Sequence, residues 1–134
     1  MKAPKKPKKK TTSQLKKELD RWFSIYIRLK YADDNGMVAC YTCGSKKNWK
    51  ELQNGHFVSR GYLATRFDET NVRVQCWGCN GFGGGRLAVF ATKLEAEGIS
   101  TKDLYRKAQE ITKYYPYAEK IEYYKSKVEL LEKI

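Results

Sequence analysis

The 134-residue sequence predicts an α+β fold in which a small zinc-stapled ββα core is flanked by N- and C-terminal helices. Two observations support this prediction. Four cysteines fall in two C-x-x-C pairs, and short apolar runs separated by glycine-containing loops lie between the pairs. Outside this region, apolar residues recur at the three- and four-residue spacing of amphipathic helices. The length corresponds to one domain, because it is too short for two independent cores.

The N-terminal residues 1–12 are predicted to form a disordered basic arm, because lysines that repel one another and prolines dominate this segment. The first seventeen residues hold eight lysines and no acidic residue, and the whole chain has a net charge of +12. This distribution favours a polyanionic partner, whereas the alternative is a solubilising tail. The aromatic residues and the cysteines of the body favour DNA or RNA over an anionic membrane surface.

A single domain is predicted over residues 13–134. Its first element is an amphipathic helix, placed over 13–35, with Ser13 as the expected N-cap. Asn35 and Gly36 are expected to end this helix, because both residues tolerate the left-handed backbone conformation.

The zinc-bound core is predicted over residues 37–90. Short strands are expected at 37–40, 57–58 and 71–75, where apolar and β-branched residues cluster between polar or glycine-containing loops.

C-terminal helices are predicted over residues 91–134. One helix is expected to run from near Arg86 to Gly98, and Ser100 is the expected N-cap of the next. Pro116 suits the first turn of a last helix. The apolar stripe of that last helix belongs either to the core or to a dimer seam, and its members are Ile121, Tyr124, Val128 and Leu131.

No segment of the sequence is expected to enter a membrane. No apolar run approaches the roughly 18 residues that a membrane span needs, and the lysine-rich N-terminus lacks the apolar stretch of a secretory signal. We therefore expect a cytoplasmic protein. Disulfides are disfavoured in that compartment, so the paired C-x-x-C motifs indicate zinc.

The four cysteines are predicted to hold one zinc ion, because two C-x-x-C turns complete a tetrahedral sulfur shell. Such an ion has no open coordination position and stabilises the fold directly. The alternative is four free thiols in the core. The proposed ligands are Cys40, Cys43, Cys76 and Cys79.

The chemistry-bearing residues lie inside and just after this framework. His56 is the sole histidine, Asn71 follows it, and Asn80 comes directly after the last cysteine. A zinc-pinned strand hairpin followed by a helix can bring His56 and Asn80 together, as phosphodiester hydrolysis requires. A neutral imidazole with a pKa of about 6.5 suits a general base. The amide oxygen of Asn80 suits Mg²⁺ or Mn²⁺, and Asn71 is expected to orient the imidazole. The alternative for a lone histidine is a purely structural role.

Basic and aromatic side chains supply the expected nucleic-acid contacts. Arg60 and Arg66 are the preferred phosphate clamps, because a guanidinium group binds phosphate bidentately. The alternative for each arginine is a solvated surface charge. The basic contacts are Arg60, Arg66, Arg73, Arg86, Lys46 and Lys47. Three aromatic residues either stack on unpaired bases or cover the zinc core, namely Trp49, Tyr62 and Trp77.

The order His, Asn, Asn among two C-x-x-C pairs resembles the HNH, or His-Me finger, nucleases, in the variant whose last histidine is replaced by asparagine. A closer resemblance is to the NinG, or Rap, recombination proteins of lambdoid phages. The Cys79-Asn80 step is also similar to phage recombination endonuclease VII. The resemblance covers roughly residues 38–90. It rests on the cysteine pairs, Gly55-His56-Phe57, Arg66-Phe67, Glu69, Asn71 and Gln75-Cys76-x-x-Cys79-Asn80.

The resemblance implies a treble-clef-like His-Me finger core, branched-DNA binding and Holliday-junction processing in the cytoplasm of a phage-infected host. Many HNH enzymes place an acidic metal ligand before the catalytic base, where this sequence has Gly55. Glu69 is expected either to supply a carboxylate near the site, to hold Arg66, or to form only a surface ion pair. Two symmetric cuts need two active sites, so we expect a homodimer with the terminal helices as its interface.

The sequence thus predicts a metal-dependent endonuclease that cleaves Holliday junctions or other branched recombination intermediates. One alternative is an HNH endonuclease acting on ordinary duplex DNA. Another is a zinc-dependent DNA-binding recombination module without catalysis, which the missing carboxylate at Gly55 favours. RNA is also compatible with the sequence as a target.

Overall fold

The computed structural model describes residues 8–132. Residues 1–7, which make up most of the predicted basic arm, lie outside the described residues. Over the described part, five α-helices surround two separate two-stranded antiparallel sheets, so the predicted α+β class is confirmed. None of these helices is both long and apolar enough to cross a lipid bilayer.

Helix α1 spans Thr12–Lys30 and begins one residue before the predicted cap. The N-cap is Thr11 rather than Ser13, because Gln14 stands three residues further on and completes a reciprocal pair of hydrogen bonds with Thr11. The helix ends earlier than expected. The carboxylate of Asp33 accepts two backbone N–H groups of the following turn, which favours a turn over further helix.

The first hairpin pairs β1, Met37–Ala39, with β2, Lys46–Asn48. Strand β2 was not predicted, because its Lys-Lys-Asn sequence has neither β-branched nor aromatic residues. The turn of this hairpin carries Cys40 and Cys43. Gly44 follows with a φ of +78°, a left-handed conformation that glycine adopts without steric cost.

The second hairpin pairs β3, Gln53–His56, with β4, Val72–Gln75. The strand predicted over 71–75 is present, but the one predicted over 57–58 lies earlier in the chain, as β3. His56 is therefore the last residue of a strand. The connection between β3 and β4 contains the short helix α2, Leu63–Arg66.

The chain after β4 makes a π-helical turn over Gly78–Phe82 and then three α-helices. These are α3, Leu87–Ala96; α4, Thr101–Ala108; and α5, Tyr117–Glu132. The hydroxyl of Ser100 accepts the backbone N–H at the third position of α4, so the predicted cap is present.

The main core joins α1 and α5 to both hairpins. The rings of Phe23 and Tyr124 meet edge to face with centroids 5.0 Å apart. Ile121, Tyr124 and Val128 are buried within the chain. The core interpretation of the α5 stripe is therefore right, and the dimer-seam interpretation is wrong for these three residues. The predicted homodimer interface cannot use this face, because the apolar faces of α1 and α5 cover each other.

A smaller core fixes the chain just after β3. Phe57 and Val58 are buried among side chains of α3 and α4, including Phe90, Leu94 and Leu104. Because the two residues after His56 are anchored in this core, the backbone at the end of β3 has a defined path.

Candidate metal and nucleic-acid site

The four cysteine sulfurs form one cluster. All four Sγ atoms lie within 4.8 Å of one another, and those of Cys43 and Cys76 are 3.7 Å apart. Zinc–sulfur bonds of about 2.3 Å in a tetrahedron place the sulfurs about 3.8 Å apart. The cluster therefore fits a zinc ion with small movements. Cys40 and Cys43 come from the turn of the first hairpin, and Cys76 and Cys79 from the exit of β4.

The surroundings of the cysteines set how readily their thiols lose protons, as they must to bind a metal ion. Burial raises the pKa of Cys40, but hydrogen bonds from the backbone N–H of Cys76 and from Thr42 outweigh it and lower this pKa to about 6. The backbone N–H of Ser45 lowers the pKa of Cys43, but burial and the neighbouring thiols raise it to about 11. The thiolate of Cys40 therefore forms readily, and its negative charge disfavours ionisation of the neighbouring thiols. A bound divalent cation offsets this repulsion.

Buried hydrogen bonds connect the sulfur cluster to the second hairpin. The backbone N–H of Tyr41 donates to the carbonyl of Val74 at 2.8 Å. The side-chain amide of Gln75, which is fully buried, donates to Thr42 Oγ1 at 3.0 Å and to the carbonyl of Gly85 at 2.8 Å. The first cysteine turn, β4 and the glycine loop are thus held as one unit.

The same glutamine explains why residue 55 is glycine. A Cβ atom on Gly55 would lie 1.9 Å from Gln75 Oε1, which is far below van der Waals contact. The position that carries an acidic ligand in many HNH enzymes therefore has no room for a side chain here. Any carboxylate in this site must come from another part of the chain.

His56 and Asn80 line the same cleft, whose volume is about 750 Å³. His56 is the last residue of β3, and Asn80 lies on the π-helical turn that begins within the second cysteine pair. Helix α1, the start of β3 and the glycine loop form the rest of the wall. The other lining residues are Asp20, Phe23, Ser24, Arg28, Leu52, Gln53, Asn54, Arg60, Gly84 and Gly85.

The imidazole of His56 is oriented by a backbone carbonyl. Its Nε2 lies 2.9 Å from the carbonyl oxygen of Arg66, and because that oxygen only accepts, we assign the proton of the neutral ring to Nε2. Nδ1 is then the basic nitrogen. Burial, helped by the charges of Arg60 and Arg66, lowers the pKa of His56 to about 4. The unperturbed pKa expected from the sequence is therefore wrong, and the ring is neutral at pH 7.

Asn71 holds the two segments that position this ring. It is fully buried, and its Oδ1 accepts the backbone N–H of Val58 at 2.8 Å. Its Nδ2 donates to the carbonyls of Val58 and Thr65, both at 3.0 Å. Asn71 therefore ties the chain just after His56 to the last turn of α2, which carries the Arg66 carbonyl.

The amide of Asn80 is also fixed by hydrogen bonds. Its Nδ2 donates to Gln53 Oε1 at 2.9 Å and to the carbonyl of Asn54 at 3.4 Å. These acceptors set the orientation of the amide group. Oδ1 accepts no hydrogen bond from residues 8–132, which leaves this hard oxygen available to a cation.

Helix α1 contributes residues to the cleft that were not predicted from the sequence. Asp20, Ser24 and Arg28 are spaced by four residues, so they lie on one face of α1 and line the cleft. Among the described lining residues, Asp20 supplies the carboxylate. In the sequence, these three residues form a polar stripe of period four, directly beside the apolar stripe of Leu19, Phe23 and Ile27. This stripe is the pattern from which they could have been predicted.

Arg66 is held by protein groups, which corrects its predicted role as a phosphate clamp. Its Nε lies 3.0 Å from Asp20 Oδ1, and its Nη1 donates to the carbonyl of Arg60 at 2.8 Å. Glu69 does not hold Arg66, contrary to one expectation. Its carboxylate instead pairs with Lys30 at 3.3 Å, the surface ion pair named as the alternative.

Arg73 is likewise engaged within the protein, so its predicted DNA contact does not fit the structure. Its side chain is 6% exposed and pairs with Glu97 at 3.3 Å. Its guanidinium carbon lies 5.6 Å from the ring centroid of Tyr31 and 5.5 Å from that of Tyr41.

The other predicted DNA contacts lie at the surface. Arg60 is exposed at the cleft, and Arg86 is exposed just before α3. Lys47 is exposed on β2, and its neighbour Lys46 pairs with Asp33 at 3.3 Å.

The three candidate stacking residues differ in exposure. Trp49 is half-buried against the main core, with the guanidinium of Arg28 5.2 Å from its ring centroid. Tyr62 and Trp77 are exposed. Phe82, which was not among the predicted stacking residues, is also exposed near Trp77.

Comparison with known proteins gives one family. The family model described as Bacteriophage Lambda NinG protein matches residues 2–133, which confirms the resemblance seen in the motifs. The searches of curated proteins and of solved structures gave no match.

Proposed function

The chain belongs to the bacteriophage lambda NinG protein family, and we propose that it is a metal-dependent endonuclease that cleaves branched DNA such as Holliday junctions. The observation that supports the activity most strongly is that His56 and Asn80 line one cleft beside the sulfur cluster. The preference for junctions rests on the family.

The chain path through the site supports a His-Me finger core. The predicted base stands at the end of β3, the predicted metal ligand follows β4, and α3 comes next. Asn71 pairs with the segment that carries the base, and zinc bound by the four cysteines would hold β4 to the first hairpin. This order of elements supports the ββα arrangement that we propose for the core.

In the proposed reaction, His56 acts as general base. Its Nδ1 takes a proton from a water molecule whose oxygen attacks the phosphorus. The Nε2–H bond to the Arg66 carbonyl fixes the ring and stabilises the imidazolium that forms. The bond that breaks joins the phosphorus to the leaving 3′ oxygen. An entering phosphate is anionic and therefore raises the pKa of His56 from its low value, which strengthens the base.

The oxygen donors of the cleft fit Mg²⁺ or Mn²⁺. Asn80 Oδ1 accepts no hydrogen bond from the described residues, and the Asp20 carboxylate lines the same space. A divalent cation held by Asn80 would act as a Lewis acid on the phosphate and its leaving oxygen. Arg28 and Arg60 add positive charge to the cleft walls, which suits an anionic backbone.

A DNA-binding module without catalysis is the second candidate function. The observation that favours it is the pairing of Asp20 with Arg66, because this ion pair occupies the carboxylate of the cleft. Both candidates bind DNA, and only the first requires His56 and Asn80 for a chemical step. A homodimer that places two such clefts on one junction belongs to the first proposal.

Cleavage of an end-labelled four-way junction tests the proposal against a linear duplex of equal length. Zinc-loaded wild type is expected to cut the junction with Mg²⁺ or Mn²⁺, whereas His56→Ala and Asn80→Ala bind it but cut at least a hundredfold more slowly. Gln109→Ala is the control, because Gln109 is exposed and does not line the cleft. Wild type that binds and never cuts with either metal supports the second candidate. Equal cutting of both DNAs indicates a duplex nuclease.

A further inference from the structure

Two aromatic rings stand exposed at the two ends of the turn that carries Asn80. Trp77 is 60% exposed and Phe82 is 86% exposed. Their ring centroids are 6.4 Å apart, and their planes are inclined by 31°. We call this pair the aromatic platform. The two rings adjoin each other and form an exposed apolar patch, unlike a single exposed ring, and such patches mark binding surfaces.

Glycines hold the platform in its shape. A Cβ atom on Gly81 would lie 3.0 Å from Trp77 Nε1, so the indole rests against backbone that no side chain shields. A Cβ atom on Gly83 would lie 2.9 Å from the carbonyl of Cys79. The backbone N–H of Gly83 donates to the carbonyl of Gly78 at 2.7 Å. The turn between the rings is therefore close-packed.

The turn that carries the platform also serves the two sites already described. Cys79 belongs to the sulfur cluster, Asn80 points into the cleft, and Trp77 and Phe82 lie on either side of them in the chain. The surrounding segment, residues 70–94, contains no acidic residue. Phosphates near the platform therefore meet no carboxylate from this segment.

We propose that the aromatic platform stacks on a nucleobase face exposed at a branch point of the DNA whose backbone occupies the cleft. This inference rests on the proposed function for the identity of the ligand. Aromatic stacking suits any base, because every base has a π-face. Bases inside a continuous duplex are stacked on both sides, whereas a branch point exposes a free face. The platform thus gives the preference for branched over linear DNA a physical basis.

Binding measured without cleavage tests the platform. Fluorescence anisotropy is recorded for zinc-loaded full-length protein with a four-way junction and with a linear duplex of equal length, and no Mg²⁺ or Mn²⁺ is added. Trp77→Ala combined with Phe82→Ala is expected to raise Kd for the junction about tenfold and Kd for the duplex less than twofold. Tyr114→Ala is the matched control, because Tyr114 is 79% exposed elsewhere and is expected to change neither value.

Rescue and assembly measurements separate stacking from other roles. Trp77→Phe keeps a ring and is expected to restore most of the junction affinity. The inference is overturned if the double variant weakens both DNAs equally or neither. It is also overturned if sedimentation shows that the double substitution changes the oligomeric state, because the rings would then join two copies. If the wild type never cuts but its junction binding depends on the platform, this inference is supported and the endonuclease proposal is refuted.

Discussion

The buried side chain of Asn71 offers the sharpest test of how the site is built. Its three hydrogen bonds satisfy the N–H and carbonyl of Val58 and the carbonyl of Thr65. Asn71→Ala leaves the N–H and the carbonyl of Val58 without partners in a buried place. It also removes one hydrogen bond from the Thr65 carbonyl, which still accepts the backbone N–H of Asp68 at 3.2 Å. At about 1 kcal/mol for each bond, the expected loss in the free energy of unfolding is about 3 kcal/mol.

Urea unfolding of the zinc-loaded protein measures this loss. Asn71→Asp is the matched variant, because aspartate has the same shape and still accepts the Val58 N–H. Its carboxylate faces two carbonyl oxygens, so burial and repulsion raise its pKa. Its destabilisation relative to wild type is therefore expected to shrink as pH falls from 7 to 5 and the carboxyl takes up a proton.

The substitution Asn71→Ala is also expected to change the surroundings of the His56 imidazole. Because Asn71 holds α2 to the chain after His56, we expect Asn71→Ala to loosen the ring and move the pKa of His56 from about 4 towards its ordinary value. The chain has a single histidine, so one NMR signal reports on it. A loss below about 1 kcal/mol together with an unchanged histidine signal refutes this role.

Three further outcomes are expected. In wild type, the His56 signal should titrate near pH 4, since burial disfavours the charged ring. In the unfolded chain the histidine takes up this proton near pH 6.5. The free energy of unfolding therefore falls by up to roughly 3 kcal/mol as pH drops from 6.5 to 4. A titration midpoint of the His56 signal near pH 6.5 contradicts the burial argument. In a double-mutant cycle of urea unfolding, Asp20→Ala and Arg66→Ala should show a coupling energy of about 1 kcal/mol, because the ion pair is partly buried. If the two losses in the free energy of unfolding are additive, the contact is contradicted. Removing zinc with a chelator should abolish cooperative unfolding as followed by circular dichroism, and an unchanged transition contradicts a structural ion.

Several parts of the site could be predicted from the sequence because their signals are local. Cysteine spacing predicts the four-sulfur cluster that the structure contains. The positions of His56 and Asn80 beside the two cysteine pairs predict that these residues lie close together, and both line one cleft. The stripes of α1 and α5 predict helices, since apolar spacing of three and four residues needs no knowledge of the partner. The sequence did not decide whether the α5 stripe was core, because that depends on α1.

The remaining features depend on contacts between distant residues. Arg66 meets Asp20 across 46 positions, and Arg73 meets Glu97 across 24 positions. No local pattern shows that these arginines are already paired, so they resembled phosphate contacts. Strand β2 forms from a sequence of low β-propensity, because the cysteine turn brings it beside β1.

We propose that zinc bound by the sulfur cluster holds His56 and Asn80 around one metal-assisted phosphate site. The most direct measurement is a crystal structure of the zinc-loaded protein with Mn²⁺ and a four-way junction, in which anomalous scattering locates the manganese. We predict a manganese peak in the cleft, bonded to Asn80 Oδ1, with His56 Nδ1 facing the same phosphate. A junction bound with its backbone outside the cleft, and no manganese beside Asn80, would contradict this arrangement.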